Sequence, residues 1–377
     1  MATISYLTTT EFGFGSLKLL DAVRTRLGIQ QPLIVSDRGL EKAGVLEQAL
    51  QDLPSGVSTH RFLDTPENPT EQAVENGVIR YRNEKCDGVI AIGGGSSIDL
   101  AKGVVLGATH EGPLEQYAAV NGGVGKITSR VAPLIAIPTT AGTGSEVGRA
   151  TLIVLKNGLK LGIISPYLIP KTAICDPALT MNLTPRLTAA TGMDALTHCI
   201  ETYLSPLVNP PADAIALDGV TRAWKSIESV VEDGKNRDAR WNMMMAALQG
   251  GLSFQKGLGP VHSLSHALGS LSNLKLHHGT LNAILLPAVL CFNEGHVGEK
   301  YADLRRAMNL PEKADLASAI RGKSRSIGLP SGLSNLGVDS SVFEEVIEKA
   351  LIDHSNNTSP RKPTAQQFVE LLKESMS

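Results

Sequence analysis

Short β-rich runs that stop at glycine or polar turns fill the first half of this chain and vanish from the second. That asymmetry limits the fold more than any other feature. The runs are Leu33–Ser36, Gly88–Ile92, Pro133–Ile137, Leu152–Leu155 and Ala173–Cys175. Continuous apolar runs suit strands covered on both faces, the condition of a parallel sheet with helical crossovers. Helix-like stretches, Leu40–Leu53 and Thr70–Arg82, lie between the first of them. The first half therefore reads as a doubly wound α/β domain. From about Thr184 helix formers dominate, in Arg240–Phe254, Lys300–Met308, Phe343–Ile352 and Thr364–Met376. In the last of these Phe368, Leu371 and Leu372 share one face. A chain of 377 residues exceeds one typical core. The expectation is an α/β domain over residues 1–180 and an all-α domain over 181–377.

Thirty-five basic residues balance 37 acidic ones, for a formal net charge of −2. No basic run offers a surface for nucleic acid or an anionic membrane. Arg305-Arg306 and Arg361-Lys362 read as solvated faces. The Met1–Ser16 segment has neither a basic region nor an apolar one, so no secretory leader is expected. The longest apolar stretch, near Leu281–Phe292, is too short for a membrane span and carries Pro287. Cys86, Cys175, Cys199 and Cys291 form no CxxC and no framework spacing. A reducing, cytoplasmic setting follows, and Cys199 reads as a buried structural thiol.

Gly93-Gly94-Gly95-Ser96-Ser97-Ile98-Asp99 follows one of the apolar runs and opens a helical stretch. Glycines admit close backbone approach to a phosphate, and a helix start offers free N–H groups and a positive dipole end. The order is not GxGxxG, so a plain strand-to-helix turn competes with a phosphate site. Pro138-Thr139-Thr140-Ala141-Gly142-Thr143-Gly144-Ser145-Glu146 follows another run. Hydroxyl and small residues at a strand's carboxyl end suit a ligand in the sheet crevice. Asp37 ends the Leu33–Ser36 run. A carboxylate there accepts bonds from ribose hydroxyls and repels a 2′-phosphate, or it caps the next helix. Phe12-Gly13-Phe14-Gly15-Ser16 is a loop that lines a cofactor or simply enters a helix.

The densest chemistry lies between Asp194 and His278. In Thr191-Gly192-Met193-Asp194-Ala195-Leu196-Thr197-His198 a carboxylate and an imidazole stand at i and i+4, on one helix face. His262 and His266 repeat the spacing, and His277-His278-Gly279 follows. Imidazoles with a carboxylate suit Zn²⁺ or Fe²⁺ better than Mg²⁺ or Ca²⁺.

Taken together, GGGSSID, PTTAGTGSE, the Cys175–Thr180 segment, TGMDALTHCIE, GPVHSLSHALG and HHGTLNAILLP resemble the iron-containing (group III) alcohol dehydrogenases over nearly the whole chain. The resemblance implies a dehydroquinate synthase-like fold, with an N-terminal dinucleotide-binding domain and a helical metal-binding and substrate domain. It implies a metal-dependent NAD(P) alcohol dehydrogenase that interconverts a small alcohol with its aldehyde or ketone, as a homodimer or larger homo-oligomer. The metal ligands it implies are Asp194, His198, His262 and His278, with Fe²⁺ favoured and Zn²⁺ the alternative. His266 becomes a relay for the substrate proton. Gly94, Gly95, Ser96, Ser97, Thr139, Thr140, Thr143 and Lys160 hold the cofactor, and Asp37 selects NAD over NADP, with Arg38 beside it as a countervailing cation. His278 directly precedes Gly279, as the family's ligand histidine does. Adjacent residues do not share a face, so one of the two histidines reaches the ion. The segment Ala267–His277 is slightly longer than in typical members, which leaves His277 as the competitor.

Two other functions compete. A dehydroquinate synthase-like lyase needs many cations around a phosphorylated substrate, yet only Lys275 lies near the histidine motifs. A non-catalytic NAD-binding regulator would tolerate loss of a ligand, and every ligand type is present. Arg149 follows the threonine-rich loop. It reads either as a selector of anionic aldehydes or as a surface or interdomain ion pair.

Overall fold

The structure, a computed structural model, describes residues 8–271 and 273–377. The start of the Met1–Ser16 segment and Ser272, inside Ala267–His277, lie outside the described residues. Two compact units divide the chain. One holds the described residues up to Thr140 together with Ser145–Met181; the other holds Ala141–Gly144 and Asn182–Ser377.

The first unit runs β1 (Thr9–Phe12), α1 (Leu20–Arg26), β2 (Pro32–Val35), α2 (Arg38–Lys42), α3 (Val45–Leu50), β3 (His60–Phe62), α4 (Glu71–Asn83), β4 (Gly88–Gly93), α5 (Gly95–Thr109), β5 (Leu134–Pro138), β6 (Ala150–Val154), β7 (Lys160–Ile164) and β8 (Thr172–Cys175). Six strands form a sheet in the order β1-β8-β5-β4-β2-β3, and every pairing in it is parallel. The pleat explains the continuous apolar runs. Leu33, Val35, Val89, Ala91, Leu134 and Ala136 share a core with Val74, Val78 and Val104 of α4 and α5. The alternate residues Ile34, Ile90, Ile92, Ile135 and Ile137 pack instead with Leu20 and Val23 of α1 and Leu46 of α3. Each such side chain, fully buried, is worth roughly 1.5–3 kcal/mol.

Two details differ from the sequence reading. Leu152–Leu155 is not a member of the parallel sheet: β6 pairs antiparallel with β7 in a separate two-stranded sheet. Asn157-Gly158, with Gly158 at φ 80°, closes this hairpin, and such a pair is a strong hairpin signal. The Leu40–Leu53 stretch is two helices rather than one, because Gly44 at φ 72° interrupts it.

The second unit contains α6 (Pro185–Leu204), α7 (Pro210–Glu232), α8 (Arg237–Ser253), α9 (Pro260–Gly269), α10 (His278–Asn293), α11 (Lys300–Ala307), α12 (Leu316–Ser326), α13 (Phe343–Ile352) and α14 (Ala365–Glu374), with no strand among its described residues. Thr184 caps α6 by accepting from the Leu187 amide, and Pro185 sits in its first turn. From Thr188 to Leu204 every residue of α6 is buried. A helix enclosed on all sides carries its polar residues inward, and that is how Asp194 and His198 come to lie in the interior. No described helix is long and apolar enough to cross a membrane.

Candidate functional site

In the α/β unit, the strand order reverses direction between β2 and β4. Ligands of open α/β sheets bind outside the carboxyl ends of the strands at such a point. Asp37 stands at the end of β2, Gly94 to Ser97 at the end of β4, and Thr139 and Thr140 at the end of β5. The Thr139 amide donates to the Gly93 carbonyl at 3.0 Å, which ties the two loops together. Helix α5 has Gly94 as its cap residue, which brings no capping side chain to the first amides. Ser97 is buried, and the Ser96 hydroxyl donates to the Glu67 carbonyl at 2.5 Å. The Lys160 ammonium, on β7, donates to Asn68 Oδ1 at 2.9 Å, so it reaches the same loop that Ser96 touches. Asp37 Oδ1 caps α2 through the Leu40 amide at 2.9 Å. Capping occupies that one oxygen and is compatible with the cofactor role. Thr143 belongs to the Ala141–Gly144 segment of the helical unit.

Behind these loops lies a clamp that the sequence reading passed over. Lys102 is fully buried on α5 and donates to the Ser145 carbonyl at 2.7 Å, to the Ser145 hydroxyl at 2.8 Å and to the Ala150 carbonyl at 2.8 Å. The Ser145 hydroxyl in turn donates to Asp99 Oδ1 at 2.6 Å. The ends of the segment after the threonine-rich loop are thereby fastened to α5. Burial pushes the Lys102 ammonium down to about 8, against the attraction of Asp99 and Glu146.

In the helical unit, Asp194 and His198 of α6, His262 of α9 and His278 of α10 offer ligand atoms that all lie within 4.8 Å of one another. One atom shows the convergence. The Asn282 amide nitrogen donates to Asp194 Oδ1 at 2.8 Å and lies 3.3 Å from His262 Nε2 and 3.2 Å from His278 Nε2. His198 Nδ1 lies 3.7 Å from Asp194 Oδ1 and is buried without a hydrogen-bond partner, as is the Asn282 carbonyl oxygen. Buried polar atoms without partners are rare in folded proteins. Three imidazoles and a carboxylate that converge in one largely buried cluster fit a divalent transition metal. Burial pushes the His198 imidazole down to about 4, partly offset by Asp194, and a neutral ring is the form that ligates.

Local structure explains the geometry. The i, i+4 spacing stacks Asp194 and His198 on one face of α6. Glu201, a further turn along α6, receives the Gly259 amide at 3.1 Å, the Val261 amide at 2.8 Å and His262 Nδ1 at 2.7 Å. It thus caps the start of α9, where the positive dipole end favours a carboxylate. It also leaves His262 Nε2 as the ligating nitrogen. Gly279 admits α10 to α6: a Cβ there would stand 2.1 Å from the Ala190 carbonyl oxygen. His278 opens α10 one residue earlier, with Nε2 3.5 Å from Asp194 Oδ1. His277 is the cap residue of that helix and is outside the convergent set. His266 is outside it as well. Its ring stacks on His278 at 5.3 Å, and its Nδ1 lies 3.0 Å from Asp353 Oδ2.

Glu201, Asn282 and Asp353 were not singled out from the sequence. Glu201 stands three residues after His198 and Asn282 four after His278, so helical spacing could have found both. Asp353 lies 87 positions from His266, and no local pattern joins them. Cys199 is buried, with its thiol 3.7 Å from the Ala246 carbonyl, as a structural thiol should be.

Comparison with known proteins accords with this geometry. The family model for iron-containing alcohol dehydrogenase matches residues 8–177, and that for the C-terminal region of the Fe-containing alcohol dehydrogenase family matches residues 188–376. The chain is 51% identical to a 4-hydroxybutyrate dehydrogenase of Cupriavidus necator, over 100% of both chains. It is 36% identical to a 1,3-propanediol dehydrogenase of Klebsiella pneumoniae, over 96% of each. A solved 1,3-propanediol oxidoreductase superposes with a TM-score of 0.94 at 34% identity, covering 100% of both chains. The chain belongs to the iron-containing alcohol dehydrogenase family, enzymes that move a hydride between a nicotinamide cofactor and a small alcohol or carbonyl compound.

Proposed function

We propose that this enzyme oxidises 4-hydroxybutyrate to its semialdehyde with NAD, and reduces the semialdehyde in the reverse direction. The observation that carries the substrate is the full-length 51% identity to a 4-hydroxybutyrate dehydrogenase. In this reading Asp194, His198, His262 and His278 hold the divalent ion, Fe²⁺ before Zn²⁺, and Glu201 orients His262. Gly94, Gly95, Ser96, Ser97, Thr139, Thr140, Thr143 and Lys160 hold the cofactor, and Asp37 accepts the adenosine ribose hydroxyls. When bound, the ion supplies Lewis acidity at the substrate oxygen and the nicotinamide supplies the hydride acceptor. His266 takes the alcohol proton and passes it towards solvent. Arg149, exposed just beyond the threonine-rich loop, pairs with the substrate carboxylate.

A lyase that regenerates its NAD and a non-catalytic regulator are not favoured, because the full-length relatives are dehydrogenases and the ligand set is complete. Free thiols at Cys86, Cys175, Cys199 and Cys291 support a cytoplasmic setting. The homo-oligomeric state belongs to the same reading and rests on family membership.

The test is NADH formation by Fe²⁺-loaded protein with 4-hydroxybutyrate, 1,3-propanediol and 1-butanol. A carboxylate contact predicts about tenfold higher kcat/KM for 4-hydroxybutyrate, lost in Arg149→Ala while 1-butanol oxidation is retained. Equal efficiency on all three alcohols, unchanged by the substitution, would overturn the substrate assignment.

A further inference from the structure

His266 is held by groups that the metal centre does not account for. Helix α13 ends at Asp353, and a short 3₁₀ turn, His354–Thr358, begins there. Asp353 Oδ1 accepts the Ser355 amide at 2.8 Å, which caps that turn. Its other oxygen, Oδ2, faces His266 Nδ1 at 3.0 Å. The Asp353 side chain is 7% exposed and that of His266 5%. Two rings lie nearly parallel to His266: His278 at 5.3 Å and 11°, and His354 at 5.9 Å and 17°.

Each Asp353 oxygen has a defined partner, and an ionised carboxylate only accepts. Burial acts to protonate Asp353, but the neighbouring His266 and His354 rings and the Ser355 amide outweigh it and hold the carboxyl well below the usual carboxylate range. With an acceptor at 3.0 Å, His266 Nδ1 carries a proton, and in the neutral ring Nε2 then keeps its lone pair. Nε2 is then the nitrogen able to take a proton from an alcohol, and a ring in the opposite tautomer could not do so there.

We propose that Asp353 is a positioning residue that sets the tautomer of His266, and so decides which ring nitrogen serves the reacting alcohol. The inference rests on the proton-handling role given to His266 above. It extends the working centre to the end of α13, a segment that none of the metal or cofactor motifs includes. His354 has a lesser part, keeping the ring plane by stacking.

Asparagine and alanine at position 353 separate this role from a structural one. In Asp353→Asn the amide oxygen still caps Ser355, so the turn is preserved. The amide nitrogen then faces His266 and donates to Nδ1, which drives the ring proton to Nε2. A capping or packing role predicts near-wild-type behaviour for Asp353→Asn and impairment only for Asp353→Ala. A tautomer role predicts that both lose kcat, on the order of 10²–10⁴-fold, with KM for NAD and metal content unchanged. Two-bond ¹H–¹⁵N imidazole spectra of the full-length, ¹⁵N-histidine-labelled protein read the tautomer without turnover. His266→Gln assigns the signal. Protonation at Nδ1 in the wild type and at Nε2 in Asp353→Asn is the expected result. A wild-type ring already protonated at Nε2, or an Asp353→Asn protein with wild-type tautomer and kcat, would overturn the proposal. Wild-type kcat in His266→Gln would instead remove the role of His266 itself, while the spectra still report whether Asp353 controls the ring.

Discussion

The α/β unit and the helical unit assemble their chemistry from different materials. At the sheet edge most candidate cofactor groups are backbone amides, glycines and hydroxyls on the loops that follow β4 and β5, joined by the Asp37 carboxylate after β2 and by Lys160 on β7. In the helical unit the groups are side chains contributed by three helices, α6, α9 and α10, with Glu201 orienting His262 and Asn282 holding Asp194. A site built from backbone follows wherever the strands go. A site built from side chains depends on each partner and on the packing that brings the helices together. Substitutions in the helical unit should therefore be costly and graded by distance from the ligand atoms, and those at the sheet edge should mainly alter selectivity.

The largest expected effect is in the helical cluster. His262→Ala removes one of four convergent ligand atoms and should abolish most metal binding. Activity should fall on the order of a thousandfold, since the ion is worth several kcal/mol to the reaction. NAD affinity should be nearly unchanged. Glu201→Gln keeps the shape but weakens the contact that fixes His262, and should cost about 10–100-fold in metal affinity. Metal analysis after dialysis, with calorimetric titration of NAD, distinguishes the two variants. Equal losses in both, or full activity in metal-free protein, would break the contrast between ligand and orienting group.

At the sheet edge the effect should be one of preference. In the proposed cofactor role the Asp37 carboxylate meets a 2′-phosphate with a like charge, so Asp37→Gly should raise the ratio of NADP to NAD use about tenfold. The same substitution removes the α2 side-chain cap, at roughly a few tenths of a kcal/mol because glycine is itself tolerated at an N-cap. Steady-state kinetics with both cofactors measure the ratio, and a thermal scan measures the cap. An unchanged preference with a lowered Tm would mean that Asp37 is a cap and nothing more.

What the sequence revealed follows the same division. The strand runs, the glycine-rich loop and the i, i+4 pairs are local patterns, and local geometry places them. Leu152–Leu155 was misplaced because an apolar run alone does not distinguish a sheet strand from a hairpin arm; the Asn157-Gly158 turn does. The Lys102 clamp and the Asp353–His266 contact escaped because their partners are distant in sequence: Ser145 is 43 positions from Lys102 and Asp353 is 87 from His266. Only the folded chain joins them.

The smallest effect is the one that qualifies the comparison, since the α/β unit also hides charged side chains. Glu146 is 2% exposed, and burial pushes its carboxyl up to about 7 from an ordinary 4.5, opposed by its own backbone hydrogen bond and by Lys102. The folded chain therefore keeps this proton at pH values where the unfolded chain has lost it. The stability so gained is complete below about pH 4.5 and is lost as the pH rises through 7. Full linkage would amount to about 3 kcal/mol, at 1.36 kcal/mol per pH unit. Glu146→Gln is neutral throughout and should not show that loss. It forfeits the attraction to Lys102, so its net advantage at pH 8 should be smaller, a Tm increase of a few degrees for a chain of this size. At pH 4.5 the two proteins should melt together. Parallel Tm profiles from pH 4.5 to 8, or a Glu146→Gln protein less stable at pH 8, would show that Lys102 holds Glu146 ionised as a buried pair. In that event a side-chain network in the α/β unit would be as exacting as the one in the helical unit.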